Sequence, residues 1–407
     1  MRQISFVLLW LLILIMPWED IFAIPGLTSF AKILGVLAFL LGLVGALFSG
    51  RSRFPLALVW VALFAAWCAA SARWAFDPEM ALSRAMTYVQ LLAFVWLIGE
   101  LVDNPKRQKS LLRAFVLGTA IMVANMYFGY VHAGVPLNTE AEVRYTAVGA
   151  NQNGVALCCS MSILFAFYLI TRRDKTGFEL PNWFYWGFIV AAGLAVPLTG
   201  SRTGVLSAGV AGFMLLGGLR KLTWKSRLGL AVSVVLVAIL VPLFVSGTII
   251  NRISQGTRSS SFVDRIKGWE VGLKDWTKTP LLGVGAGSYQ DLMTQHGESA
   301  NVAHNTFVGV LVESGLVGFV VYFSFWAIII RRVMRLPKAD RFFWLGAFAA
   351  YLPAMIAGSA EYEKLWWFLG AMVLCQAPQQ GAAYARKQRI VSSAGQGPAL
   401  PLLDHRP

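Results

Sequence analysis

The chain has 407 residues, 57% of them hydrophobic and only 14% charged, with a mean hydropathy of +0.62. Soluble domains carry nearly twice that charged fraction, so this composition excludes an ordinary water-soluble globule. The net charge of +15 does not mark a nucleic-acid binder, because the Lys and Arg residues crowd alternate loops between apolar runs, which is the signature of membrane topology.

Apolar runs recur from the first residues to position 378, each near the roughly 20 residues that a helix needs to cross a hydrocarbon core. Lipid offers no partner to an open backbone, so these runs are expected to be helices. Twelve spans are predicted, roughly at 4–18, 28–48, 54–71, 85–102, 111–131, 147–170, 183–199, 203–219, 228–247, 304–330, 342–360 and 364–378. Arg2 precedes the first run and no small-residue cleavage site follows it, which reads as a retained span rather than a signal peptide. Arg51 and Arg53, Lys106 with Arg107 and Lys109, Arg172 and Arg173, Arg220 and Lys221, and Arg331 through Arg341 mark the cytoplasmic loops. That pattern places both termini in the cytoplasm. Cys68, Cys158, Cys159 and Cys375 all fall in apolar spans, so neither a disulfide framework nor a zinc site is expected. The spans form a transmembrane domain, 1–378, followed by a Gly-, Ala- and Pro-rich tail, 379–407, expected to be disordered.

One connection is too long for a plain link. About 55 residues, 249–303, separate spans nine and ten on the non-cytoplasmic side. Within it Phe262, Ile266, Trp269, Leu273 and Trp276 recur at helical spacing. Ser261 and Asp264 look like a capping box ahead of them, and the stripe suits a helix in the membrane interface. Gly283-Val284-Gly285-Ala286-Gly287 follows; without a strand–loop–helix setting it reads as a tight turn and not a phosphate cradle. A second short helix is predicted from Ser288 to His296, stopping at Gly297.

Three basic side chains fall at membrane boundaries on this face. Arg202 sits in the turn between spans seven and eight, Arg265 flanks the loop stripe, and His304 opens span ten. Singly they read as a snorkelling Arg, a headgroup-facing Arg and an interface His. Together they are two guanidiniums and one titratable base on one side of the membrane. Guanidiniums bind phosphate oxygens bidentately and keep their charge in a low-dielectric site. They can therefore stabilise a departing pyrophosphate without a metal. A neutral imidazole at a helix start can take a proton from an acceptor hydroxyl. Metal chemistry would need paired carboxylates, and Glu19-Asp20 and Glu140 with Glu142 read as solvated loop acids. Arg144 offers a third phosphate contact or a salt bridge to that second pair. Glu313, mid-span and about 13 Å beyond His304, calls for a partner and is read as a structural hydrogen-bonding group.

The ordered set Ser201-Arg202-Thr203-Gly204, Arg265 with Trp269, Pro280 through Gly287, His304-Asn305, and Glu313-Ser314-Gly315 with Gly318 resembles the O-antigen ligase and polymerase superfamily, most strongly over about 195–320. The resemblance implies an all-α polytopic membrane protein with the class C-like glycosyltransferase architecture and one large periplasmic loop containing short helices. It implies a metal-independent, inverting enzyme of the bacterial inner membrane that needs no cofactor. The donor would be an undecaprenyl pyrophosphate-linked glycan and the acceptor the lipid A–core oligosaccharide. His304 would be the catalytic base, Arg202 and Arg265 would bind pyrophosphate, and Arg144 is a weaker transfer.

Three other readings remain open at this point. A polymerase of the same superfamily shares the donor chemistry. A polyprenyl-linked sugar transporter would show two related halves, and no such internal repeat is visible. An assembly scaffold would tolerate loss of Arg202 and His304.

Overall fold

Every one of the twelve apolar stretches forms a helix in the computed structural model, which describes residues 1–22, 30–49, 54–133, 145–147, 150–173, 179–217, 223–245, 247–254 and 260–376. In chain order the helices are α1 (Arg2–Ile15), α2 (Phe30–Ser49), α3 (Ala57–Ser71), α4 (Pro78–Leu101), α5 (Pro105–Ala133), α6 (Gln152–Thr171), α7 (Asn182–Leu198), α8 (Arg202–Gly217), α9 (Trp224–Phe244), α10 (Gly247–Ser254), α11 (Ser260–Trp276), α12 (Tyr289–Gln295), α13 (Thr306–Met334), α14 (Lys338–Ala357) and α15 (364–376). There is no strand among the described residues. Among the described residues, seven helices are long and apolar enough by length and composition to cross a membrane, those beginning at Arg2, Phe30, Pro78, Pro105, Gln152, Trp224 and Thr306. Three more apolar helices, Ala57–Ser71, Asn182–Leu198 and Arg202–Leu215, are shorter. The chain is a multi-pass membrane protein.

Capping residues sharpen several boundaries. Asp77 accepts from the backbone N–H groups of Glu79 and Met80, and Pro78 occupies the first turn. Span four therefore starts a helical turn and more before its predicted position. Asn151 caps α6 and Thr223 caps α9 in the same way. The buried core runs through α3–α8 and α13–α15, where α6 is the most enclosed. By contrast only 11% of the apolar window of α9 is buried within the fold. All four cysteines are free thiols.

The largest departure from expectation is in span ten. α13 is broken at Gly315, whose backbone adopts φ 64° and ψ −174°. Leu316 and Val317 N–H donate to the carbonyls of Pro280 and Leu281, at 2.9 and 3.3 Å, instead of to their own helix. The carbonyls of Val312 and Glu313 accept in turn from Val284 and Gly285, both at 2.9 Å. Trp67 Nε1–H reaches the Ser314 carbonyl at 2.9 Å. A break at membrane depth is tolerable only when another segment satisfies the freed groups, and the glycine-rich loop does so here. The approach demands glycine: a Cβ on Gly315 would fall 2.2 Å from the Leu281 oxygen, and one on Gly283 2.4 Å from the Gly315 nitrogen. The tight turn predicted for 283–287 is thus a plug in a broken helix.

The loop helix α11 also differs. Its stripe was read as lying against the membrane surface, yet Trp269 donates from Nε1 to the Ala303 carbonyl at 2.7 Å. Trp276 packs on a second small core of Tyr289, Leu292, Met293, Ala303 and Val312. Trp269 and Trp276 thus turn to protein, while Leu273 of the same stripe stays exposed. The helix begins at Ser260, so Ser261 falls within it. The second short helix is found as predicted, with Gly297 just beyond it at φ 70°.

Candidate functional site

Arg202, Arg265 and His304 come from three separate segments, and the fold brings them together. Arg202 is the first residue of α8, after a turn made by Gly200 at φ 61°. The helix start is held by Ser201, whose Oγ accepts from the Gly204 N–H at 3.1 Å and donates to Asn153 Oδ1 at 2.8 Å. Arg265 lies in the first turns of α11, half-buried. Burial lowers its pKa, and the nearby Arg202 lowers it further. The two guanidiniums are therefore close enough to repel.

His304 is the only non-glycine residue with positive φ among those described, at 48°. Such a conformation costs about 1–3 kcal/mol in a non-glycine residue and persists only where its surroundings over-determine it. They do so here. Trp269 holds the preceding carbonyl, and Asn305 caps α13 by accepting from Phe307 and Val308 at 2.9 and 3.2 Å. Thr306 Oγ1 donates to the Gly358 carbonyl at 3.2 Å and accepts from Ala360 N–H at 2.9 Å. Burial, then the Arg265 charge, hold the imidazole below its ordinary value of 6.5. Both favour the neutral imidazole.

His304 lines two cavities at once. On the loop side, about 320 Å³ is walled by Asp264, Arg265, Tyr289, Glu298, Asn301 and Val302. On the helix side, about 330 Å³ is walled by Asn151, Asn153, Thr203, Ser359, Glu363 and Lys364, among others. Glu19, read as a solvated loop acid, instead pairs with Lys364 at the rim of the second cavity. Arg144, Glu140 and Glu142 lie outside the described residues.

Sequence reasoning missed a polar cluster behind the site. Arg84, Glu313, Ser314, Glu361 and Tyr362 line a void of about 10 Å³, of the order of one water. Arg84 stacks over the Tyr362 ring, 4.3 Å from its centroid. Burial pushes Glu361 up to about 8, and its Oε2 has no hydrogen-bond partner among the described residues. The signal available in sequence was Arg84 itself, a guanidinium in an apolar run. Glu313 has the structural hydrogen bonds expected of it, accepting from the N–H groups of Gly287 and Tyr289 at 2.9 and 3.3 Å.

Residues 186–323, which hold α8, the loop and the broken half of α13, match the family model described as O-antigen ligase. The chain is also 25% identical over 289 residues to the exopolysaccharide production protein ExoQ of Rhizobium meliloti (strain 1021). That alignment covers 64% of this chain and 62% of the relative, so the chain spans less than two thirds of its length. Both matches bear out the resemblance to the O-antigen ligase and polymerase superfamily.

Proposed function

We propose that this membrane protein is a glycosyltransferase of the O-antigen ligase type, moving a glycan from undecaprenyl pyrophosphate to a hydroxyl of the lipid A–core oligosaccharide. The observation that carries this reading is the closeness of the Arg202 and Arg265 guanidiniums to each other, with Arg265 acting in turn on the His304 imidazole. Neighbouring guanidiniums can bind the oxygens of a pyrophosphate bidentately.

In the reaction, His304 accepts the proton of the acceptor hydroxyl. The freed oxygen attacks the anomeric carbon on the face opposite the pyrophosphate. The bond from that carbon to the pyrophosphate oxygen breaks and its electron pair leaves with the lipid pyrophosphate. Arg202 and Arg265 stabilise the charge that builds there, so the anomeric centre inverts and no metal is needed. The proton on His304 is then lost to solvent. His304 borders both cavities, which suits a base standing between a donor on the Arg265 side and an acceptor on the Asn153 side. Both lipids would reach the site from the periplasmic leaflet of the inner membrane, with the chain's termini in the cytoplasm.

A second reading, a polymerase of the same superfamily, is favoured by the relative's printed role in exopolysaccharide production. The donor chemistry would be unchanged and the acceptor would be a lipid-linked glycan. Reconstitution with lipid pyrophosphate-linked glycan, lipid A–core and EDTA separates the readings. Transfer to lipid A–core supports the ligase. Chain growth on the lipid carrier alone would move the assignment to polymerase, and loss of transfer in EDTA would overturn the metal-free mechanism.

A further inference from the structure

Glu313 stands on the short half-helix, Thr306 through Ser314, that starts two residues after His304 and ends at the break at Gly315. Its carboxylate leaves that helix to grip the glycine loop, taking the N–H of Gly287 and of Tyr289. Tyr289 is the first residue of α12, and the helix has no side-chain cap from its own Ser288. The Ser288 hydroxyl is occupied instead, accepting from Phe76 N–H at 3.3 Å. Glu313 therefore caps α12 from another element.

Tyr289 carries the connection onward. Its ring borders the loop-side cavity with Arg265 and His304. Its hydroxyl donates to the Gly268 carbonyl at 2.7 Å, one turn along α11 from Arg265. α11 rests closely on that ring, since a Cβ on Gly272 would lie 2.7 Å from the hydroxyl. A continuous path thus runs from His304 through the half-helix to Glu313, then through Tyr289 to the backbone that bears Arg265. The only cation among the residues lining the void beside Glu313 is Arg84. A carboxylate needed only to balance Arg84 would not also have to span the glycine loop.

We propose that Glu313 is a positioning residue, which sets the separation of Arg265 from His304 by capping α12 and anchoring Tyr289. The inference deepens the transferase reading and rests on it for its consequence in catalysis, but the geometry it concerns can be measured without turnover. Arg265, Asp264 and Glu298 share the loop-side cavity with the imidazole, with Arg202 close to Arg265; Glu19, Glu363 and Lys364 share the other cavity with it. Of these, Arg265 is the charge that holds the imidazole down.

The test is the pH dependence of His304 modification by diethyl pyrocarbonate, resolved by peptide mass, in the full-length protein in detergent. Arg265→Ala sets the scale by raising the midpoint. Glu313→Ala and Tyr289→Phe should each raise it by about half a unit, and neither should raise it further in the Arg265→Ala background. Glu313→Gln, which keeps one acceptor oxygen, should fall between. The sign is diagnostic, because simple removal of a negative charge would lower the midpoint. An unmoved or lowered midpoint overturns the proposal. If Glu313→Ala does not fold, Tyr289→Phe, which removes one hydroxyl, decides alone. Failure of wild-type glycan transfer would sink the transferase reading and leave this result standing.

Discussion

The two cavities that meet at His304 are alike in size and opposite in construction. The loop-side cavity is built by α11, α12 and the segment before α13, and its wall carries one guanidinium, Arg265, beside the acids Asp264 and Glu298. The helix-side cavity is built by α6, α8, α14 and the turn before α15, and it is lined by amides, hydroxyls and the Glu19–Lys364 pair. A guanidinium such as Arg265 suits a leaving group that gains charge in the transition state. Amides and hydroxyls such as those of Asn151, Asn153, Thr203 and Ser359 suit sugar hydroxyls, which need orientation more than charge. The difference teaches that the two sides should fail differently when damaged.

Four predictions would break or sharpen that contrast. The largest effect is expected where the cavities join: His304→Ala should lower kcat by about 10³-fold while membrane insertion and thermal unfolding stay near wild type. Retained transfer in that variant would remove the base from the mechanism. Next, Arg265→Gln should lower kcat by about 10²-fold, as loss of one donor to a developing charge does, with Arg265→Lys recovering only part. A change confined to acceptor KM would place the charge-bearing site elsewhere.

On the other side, Glu363→Gln or Asn153→Ala should raise acceptor KM by about tenfold, equivalent to about 1.4 kcal/mol, and leave kcat nearly untouched. If these variants behave like Arg265→Gln, the contrast between the cavities fails. The smallest effect is in pH. A base must be unprotonated, so activity falls as pH drops through the His304 pKa. Burial and Arg265 lower that pKa, so the acidic limb of kcat/KM should lie below pH 6.5. Bound pyrophosphate offsets Arg265, so the limb of kcat should lie above that of kcat/KM. A limb at or above 6.5 in kcat/KM would argue that Arg265 is not beside the imidazole in the working enzyme.

Much of this was legible in the chain itself. Hydropathy located every one of the twelve apolar helices, since residues that avoid water reveal themselves one by one. Of these, seven among the described residues are long and apolar enough by length and composition to cross a membrane, and several others, such as Ala57–Ser71, are shorter runs. The order of Arg202, Arg265 and His304 was legible too, and their convergence was inferred from chemistry. Arg144 lies outside the described residues, so its expected contact stays with the proposal. The stripe on α11 was read correctly as a helix, and two of its residues, Trp269 and Trp276, turn to protein while Leu273 stays exposed. Periodicity reports which face avoids water and says nothing of whether lipid or protein covers it.

By itself, then, the sequence determined a helical membrane protein with charge-marked loops and one long connection, because lipid leaves a chain of apolar runs no alternative to helix. It also determined which side chains could handle a pyrophosphate and a proton. Only the tertiary structure decided that α13 breaks at Gly315, since that break depends on backbone groups some thirty residues upstream accepting and donating its lost hydrogen bonds. Only it decided the left-handed turn at His304, the grip of Glu313 on α12, and the buried company of Arg84 and Glu361. These are agreements between distant segments, and no local pattern of residues encodes them.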